Sequence, residues 1–124
     1  MAMYGLDHEP IDFMAGARLL GSPEARVAED VIEVPAGPSG GAGQAVRVST
    51  VFLVHDHRHD RSVGVPVLYE TMIFTPDGTP SWCERYATRE AALAGHDRAC
   101  AWVRAPHLAP APVQDRLDFS TPGD

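Results

Sequence analysis

The sequence predicts an α+β fold: a single two-layer domain in which a four-stranded antiparallel sheet carries helices on one face. Runs of β-branched and aromatic residues between 26 and 87 are separated by turn-forming segments, a pattern typical of antiparallel strands. Segments with helical periodicity stand before the first run and after the last one. Packing both helices on one sheet face buries both apolar surfaces, so the element order αββββα is expected.

The first helix is predicted to begin after Asp12, whose side chain can accept a backbone N–H of the first helical turn. We expect a helix of about eight to ten residues that ends at Gly21. Residues 1–9 form a short lead before it. The apolar residues at helical spacing are expected to share its buried face: Phe13, Ala17 and Leu20.

Four strands are predicted in succession, at residues 26–34, 45–55, 66–74 and 81–87. The segment 35–44 between the first two is rich in glycine and proline and lacks large apolar side chains, so it is expected to be a flexible insertion. The sequence "TPDGTP" at 75–80 has its proline, aspartate and glycine in the order that a tight turn requires.

The second helix is predicted over residues 89–104, with Thr88 as its N-cap and Glu90 in the first turn. Spacing by three and four residues predicts an inward stripe composed of Leu93, His96, Cys100 and Val103. Residues 105–124 are proline-rich and acidic, and they are expected to form an extended or disordered tail. The folded domain should therefore span residues 10–104.

Composition and charge exclude several classes of function. The chain has a net charge of −7 and no cluster of arginines, so nucleic acid is not an expected partner. It contains neither a long apolar run nor a signal-peptide pattern, and we expect a cytoplasmic protein with no membrane partner. Two cysteines, Cys83 and Cys100, are too few for a disulfide framework and are expected to be reduced thiols. No cofactor is expected.

Three segments carry a resemblance to known sequences: "VRVSTVFLVHDHR", "VLYETMIF" and "ERYATREAALAGH". In this order they resemble a family of small uncharacterised proteins of actinobacteria and their phages, with motifs VSTVxLxxDH, FETMxF and RYxTxEEAxxGH. The resemblance covers about residues 10–104 and implies a common fold and a bacterial or phage setting, with no established activity. The positions that match are Asp56, His57, Glu70, Thr71, Met72, Arg85, Tyr86, Glu90, Gly95 and His96.

The run "HDHRHD" at 55–60 is one candidate metal site, because alternate residues of a strand project to one face. The candidate ligands of zinc or another divalent ion are His55, Asp56, His57 and His59. The alternative is a solvated hairpin loop, in which Arg58 and Arg61 would disfavour a nearby cation. His55, His59 and Asp60 also depart from the family pattern.

A second candidate site combines residues that are distant in sequence: Asp56, His57, Glu70, Arg85 and His96. In the functional interpretation these residues form an acid/base or metal site for zinc or manganese, with Arg85 binding an anion. In the structural interpretation, which we favour, Glu70 pairs with Arg85 across neighbouring strands and His96 donates to a backbone carbonyl. The strand register decides between them, and Phe52 or Leu53 is expected opposite Glu70.

The expected function is a small non-enzymatic binding module that recognises a protein partner or a small ligand, with inhibition of a host or defence protein as one form. A homodimer through the sheet is also expected, because Phe52, Tyr69, Ile73 and Trp82 are more apolar side chains than one sheet face needs. The alternative is a metal-dependent hydrolase or nuclease that uses Asp56, His57, Glu70 and His96. A further hypothesis makes Cys83 a nucleophile with His96 as its base.

Overall fold

The computed structural model describes residues 2–35, 43–58 and 64–105. Its elements in chain order are β1 (Met3–Tyr4), β2 (Pro10–Ile11), α1 (Phe13–Leu19), a 3-10 helix (Pro23–Ala25), β3 (Arg26–Val34), β4 (Gln44–Phe52), β5 (Tyr69–Phe74), β6 (Pro80–Tyr86) and α2 (Arg89–Arg104). Most of the expected insertion at 35–44 and of the expected tail at 105–124 lies outside the described residues.

The main sheet has the strand order β3-β4-β5-β6, and each neighbouring pair is antiparallel. Helix α2 packs across all four strands, on what we call the helix face; the opposite side is the outer face. β1 and β2 form a separate two-stranded sheet next to the end of β4, where Tyr4 N–H donates to Val54 C=O at 2.8 Å. The α+β fold with a four-stranded antiparallel sheet and helix packing on it is confirmed.

Two apolar clusters build the core between α2 and the sheet. One contains Ala25, Phe52, Val54, Leu68, Tyr69, Tyr86 and Ala92. The other contains Ile32, Val48, Ile73, Trp82, Ala99, Cys100 and Val103. A buried polar layer of Thr50, Thr71 and His96 lies between these clusters. On β4, β5 and α2 alike, the polar residue is preceded by a residue of one cluster and followed by a residue of the other.

Local sequence signals locate both helices. Asp12 caps α1 by accepting Ala15 N–H at 2.8 Å, and Thr88 caps α2 by accepting Ala91 N–H at 3.1 Å. The turn between β5 and β6 is closed by Thr75 and Asp77, as the tight-turn pattern predicts. No helix in the described part of the chain is both long and apolar enough to cross a bilayer.

The predicted buried face of α1 is wrong. Phe13 is 71% exposed, and Ala17 and Leu20 also face solvent. The helix instead packs through Leu19, which contacts the first apolar cluster of the core, and through Gly16, where a Cβ would overlap the Met3 sulfur. Because a seven-residue helix carries apolar residues on several sides, its spacing alone does not decide which side is buried.

The predicted strand ends and hairpin register also need correction. β4 ends at Phe52 because Val54 has φ = 70°, and His55 N–H donates to Leu53 C=O at 2.7 Å in a γ-turn. Val51, and neither Phe52 nor Leu53, lies opposite Glu70. A positive φ is rare for a β-branched residue, so the sequence did not predict this break in the strand.

Two expectations about the core are also corrected. Leu93 of the predicted inward stripe is 38% exposed, whereas Ala92 and Ala99 are buried against the sheet. The four apolar side chains that suggested a second covered sheet face all lie on the helix face, where they are buried: Phe52, Tyr69, Ile73 and Trp82. One face therefore accommodates all four side chains, and they no longer support the expectation of a dimer through the sheet.

Candidate functional site

An ion pair between Glu70 and Arg85 joins β5 to the edge strand β6 on the outer face. The two residues are directly opposite each other on β5 and β6, and Arg85 Nε donates to Glu70 Oε2 at 2.9 Å. Cys83 Sγ donates to the same oxygen at 3.2 Å. The side chains of Glu70 and Arg85 are 11% and 17% exposed, so the charge of each one offsets the desolvation cost of burying the other. This is the cross-strand pair of the structural interpretation.

Asp56 anchors the chain that leaves the strained turn after β4. Its carboxylate accepts the backbone N–H groups of Arg58 and Val67, each at 3.0 Å, and Arg58 Nε at 2.8 Å. Burial would raise the pKa of Asp56, but the hydrogen bonds from Arg58 and Val67 outweigh it and hold the pKa below its usual value. The carboxylate therefore ties Arg58 and Val67 together.

The histidines beside Asp56 occupy different environments. His57 is partly buried, and burial together with the nearby Arg85 lowers its pKa, which favours the neutral imidazole. His55 Nε2 is buried and has no hydrogen-bond partner among residues 2–35, 43–58 and 64–105. The third candidate histidine, His59, lies outside the described residues, so the expected site of His55, Asp56, His57 and His59 stays a prediction.

His96 lies on the opposite side of the sheet, in the polar layer under α2. Its Nε2 lies 2.8 Å from Asp30 Oδ2, and its Nδ1 lies 2.8 Å from Thr50 Oγ1. Thr50 Oγ1 in turn lies 2.5 Å from Thr71 Oγ1. The expected donation from His96 to a backbone carbonyl is wrong, because side chains from β3 and β4 satisfy both ring nitrogens.

Tyr86 extends this polar layer towards β6. Its hydroxyl donates to Glu84 Oε1 at 2.7 Å and also interacts with Thr71, while Arg98 Nη2 donates to the same Glu84 oxygen at 2.8 Å. Burial raises the pKa of Tyr86, so the phenol stays protonated and remains a donor. Gly95 of α2 lies directly over this ring, where a Cβ would overlap the hydroxyl. Tyr86, Gly95 and His96 thus meet at one helix–sheet contact.

The sheet divides the predicted site residues into two groups. His57 lies within electrostatic range of Glu70, Arg85 and Asp56. His96 is on the helix face and contacts Asp30 and Thr50 instead. The full constellation of Asp56, His57, Glu70, Arg85 and His96 is therefore not brought together. Cys83 is separated from His96 in the same way, because it contacts Glu70 on the outer face.

Sequence reasoning missed a third group, formed by Asp30, His96 and Cys100. One ligand atom from each residue lies within 4.8 Å of the other two, and Cys100 Sγ is 3.7 Å from Asp30 Oδ2. His96 and Cys100 are four residues apart on the inward stripe of α2, which is the sequence signal that was present. Asp30 comes from β3, 66 residues before His96, and no local pattern connects it to the helix.

The order Asp30, His96, Thr50 has the connectivity of a hydrolase triad, in which a carboxylate orients a histidine beside a hydroxyl. Thr50 is, however, 0% exposed beneath α2, so a substrate carbonyl has no access to its hydroxyl. Nucleophilic attack requires the reacting atoms to approach within about 3 Å. The hydroxyl therefore serves to orient the imidazole.

Comparison with known proteins found no matching family model, no matching curated protein and no matching solved structure.

Proposed function

We propose that this chain is a non-enzymatic binding module that attaches to another protein through the apolar side of α1. The observation that carries this proposal is the exposure of that side: Phe13 is 71% exposed, Met14 60% and Leu20 52%. Adjacent exposed large apolar side chains are unfavourable in water and are typical of protein interfaces. We call this surface, formed by Phe13, Met14, Ala17 and Leu20, the α1 patch.

The acidic character of the chain indicates the charge of the partner. Asp12 caps the helix next to Phe13, and the hollow on the Ala15 and Arg18 side of α1, away from the patch, is lined by further exposed acids. These acids are Asp7, Glu9 and Glu24. The chain carries a net charge of −7, so a second copy would bring a like charge against this one. The complementary surface is an apolar pocket with a basic rim on a different protein.

The family resemblance adds a setting to this proposal. If the chain is of actinobacterial or actinophage origin, its partner is a bacterial protein, and inhibition of a host or defence protein is one form that binding would take. The alternative hydrolase or nuclease has less support, because the sheet separates His96 from the other proposed ligands: Asp56, His57 and Glu70.

A site-specific crosslinking experiment tests the proposal. A photo-crosslinking residue is placed at Met14, in the patch, and as a matched control at Val31, an apolar residue of β3 with 61% exposure. We expect a crosslink to one other protein from position 14 and not from position 31. The same crosslink should disappear when Phe13→Ser and Leu20→Ser are added, since fully burying each large apolar side chain contributes roughly 1.5–3 kcal/mol.

Binding of the purified partner completes the test. The Phe13→Ser/Leu20→Ser variant should fold like the wild type and bind the partner at least about tenfold more weakly, with an affinity that falls as salt is added. Sedimentation should show the free chain to be a monomer. A dimer that depends on Phe13 and Leu20 would contradict the proposed heterologous partner, and equal crosslinking from both positions would contradict the patch itself.

A further inference from the structure

The contact between β3 and α2 contains three different metal-ligand atoms around one point. Asp30 Oδ2, His96 Nε2 and Cys100 Sγ come from an edge strand and two successive turns of a helix. The imidazole and the thiol are buried, while the Asp30 side chain is 50% exposed and opens the group to solvent. An ion can therefore enter from the Asp30 side without opening the core.

The distances fit a tetrahedral ion after a small movement. Zinc–ligand bonds of roughly 2.0–2.3 Å at tetrahedral angles separate a nitrogen from an oxygen by about 3.4 Å and a sulfur from an oxygen by about 3.6 Å. Here the sulfur–oxygen distance is 3.7 Å and the nitrogen–oxygen distance is 2.8 Å. The Asp30–His96 contact has to widen, which rotation of the half-exposed Asp30 carboxylate would allow, and His96 Nε2 and Cys100 Sγ lie within 4.8 Å of each other.

The donor set selects the class of metal. A thiolate, an imidazole and one carboxylate suit zinc and similar borderline ions, whereas magnesium, calcium and manganese prefer oxygen ligands. The Asp30 carboxylate and a Cys100 thiolate together balance the two positive charges of such an ion. Arg104 and Asp97, the other charged groups within range of Cys100, carry opposite charges.

The hydroxyls of the polar layer also suit a metal-bound imidazole. Metal-ligating histidines usually donate their second ring N–H to a neighbouring acceptor, which fixes the orientation of the ring. His96 Nδ1 faces Thr50 Oγ1, and Thr50 contacts Thr71 in turn. Because a hydroxyl both donates and accepts, this pair can hold either tautomer of His96 and so allows Nε2 to bind a metal.

We propose that Asp30, His96 and Cys100 bind one zinc-class divalent ion, which links the edge strand β3 to helix α2. Three protein ligands leave the fourth tetrahedral position to a water molecule on the exposed side. The ion stabilises the folded chain because these ligands converge only there. This site shares His96 with the predicted hydrolase constellation but replaces its other members, and it is independent of the α1 patch.

Cobalt(II) is the probe for the test, because a thiolate bound to cobalt produces a charge-transfer band in the near ultraviolet. The full chain is freed of its purification tag, stripped of metal with a chelator, and titrated with cobalt and then with zinc. We expect the band to grow to one cobalt per chain and to disappear as zinc displaces the cobalt. The histidines at 55–59 cannot produce this band, since a thiolate is required.

Two ligand variants and two matched controls locate the site. Cys100→Ser and Asp30→Asn should abolish the band or weaken metal binding at least about tenfold. Cys83→Ser removes the other buried cysteine, and Asp97→Asn removes an exposed acid of α2; both should bind as the wild type does. Circular dichroism of the metal-free variants checks that each one folds.

Thermal unfolding provides a second readout. Zinc at a hundredfold excess over its Kd should raise the Tm of the wild type on the order of 10 °C, while magnesium should leave it unchanged. The Cys100→Ser and Asp30→Asn variants should lose this shift. The proposal is overturned if no band forms, if the band survives Cys100→Ser, or if Cys83→Ser removes it.

Discussion

At the scale of single residues, buried charge decides the structure of the outer face. The carboxylate of Glu70 would be costly on a sheet without Arg85, and the Asp56 carboxylate is engaged by Arg58 and backbone N–H groups. These contacts account for polar residues that interrupt apolar runs.

Removing one member of the Glu70–Arg85 pair should destabilise the fold more than removing both. Arg85→Met leaves a buried carboxylate without its main partner and should lower the free energy of unfolding by about 3 kcal/mol, measured by urea denaturation. The double variant Arg85→Met/Glu70→Leu should recover most of that loss. If the double variant loses as much stability as Arg85→Met and Glu70→Leu lose separately, added together, the pair is not coupled.

Acid should weaken the fold through His57. Its folded-state pKa lies below the unfolded value of 6.5, so as the pH falls the unfolded chain takes up the proton first. The contribution of neutral His57 to the free energy of unfolding is therefore fully present above pH 6.5, and it is lost as the pH falls through the folded-state pKa. Tm measured at about pH 7.5 and about pH 5.5 should fall less in His57→Gln than in the wild type. An equal fall in both proteins would contradict the assigned environment.

At the scale of elements, α2 is defined by a close contact with the sheet. Gly95 allows the Tyr86 ring to lie against the helix backbone, and His96 then enters the polar layer between Thr50 and Asp30. The helix begins at Arg89 and ends at Arg104, as its caps and spacing predicted. α1 is different, since it packs through Gly16 against Met3 and through Leu19 against one apolar cluster, while Phe13 and Met14 face solvent.

Gly95→Ala tests the close contact of α2. Alanine favours a helix over glycine by about 1 kcal/mol, but here its Cβ would overlap Tyr86, and overpacking costs about 1–3 kcal/mol. We expect a net loss of about 1–2 kcal/mol in urea denaturation. In a Tyr86→Ala background the overlap is absent, so Gly95→Ala should become stabilising. A stabilising effect in the wild-type background would show that the helix does not approach so closely.

At the scale of the whole molecule, the fold combines a strongly connected part with a weakly connected one. The sheet and α2 share two apolar clusters and the polar layer between them, whereas α1 and β1 contribute only partly buried side chains, to one cluster. Local stability follows the number of buried apolar contacts, so the N-terminal elements should open more easily than the sheet. The proposed binding surface belongs to this less stable part.

Hydrogen exchange should show this difference directly. Amides of β4, β5 and α2 should exchange slowest, through global unfolding, and those of α1 much faster, because a seven-residue helix has little stability of its own. Mass spectrometry of exchanged peptides measures the exchange rate in the sheet, in α2 and in α1. Protection of α1 equal to that of α2 in the free chain would contradict this division, while protection gained by α1 with a bound partner is expected.

The amino-acid sequence by itself determined the presence and order of the four strands of the main sheet, the extent of α2, both helix N-caps and the pairing of Glu70 with Arg85, because these depend on neighbours along the chain or on adjacent strands. Only the tertiary structure decided which side of α1 is exposed, since Met3 selects Gly16 as the contact. It alone decided the register, through the positive φ of Val54. It also brought Asp30 to His96, because contacts between residues so far apart arise from packing and leave no local pattern.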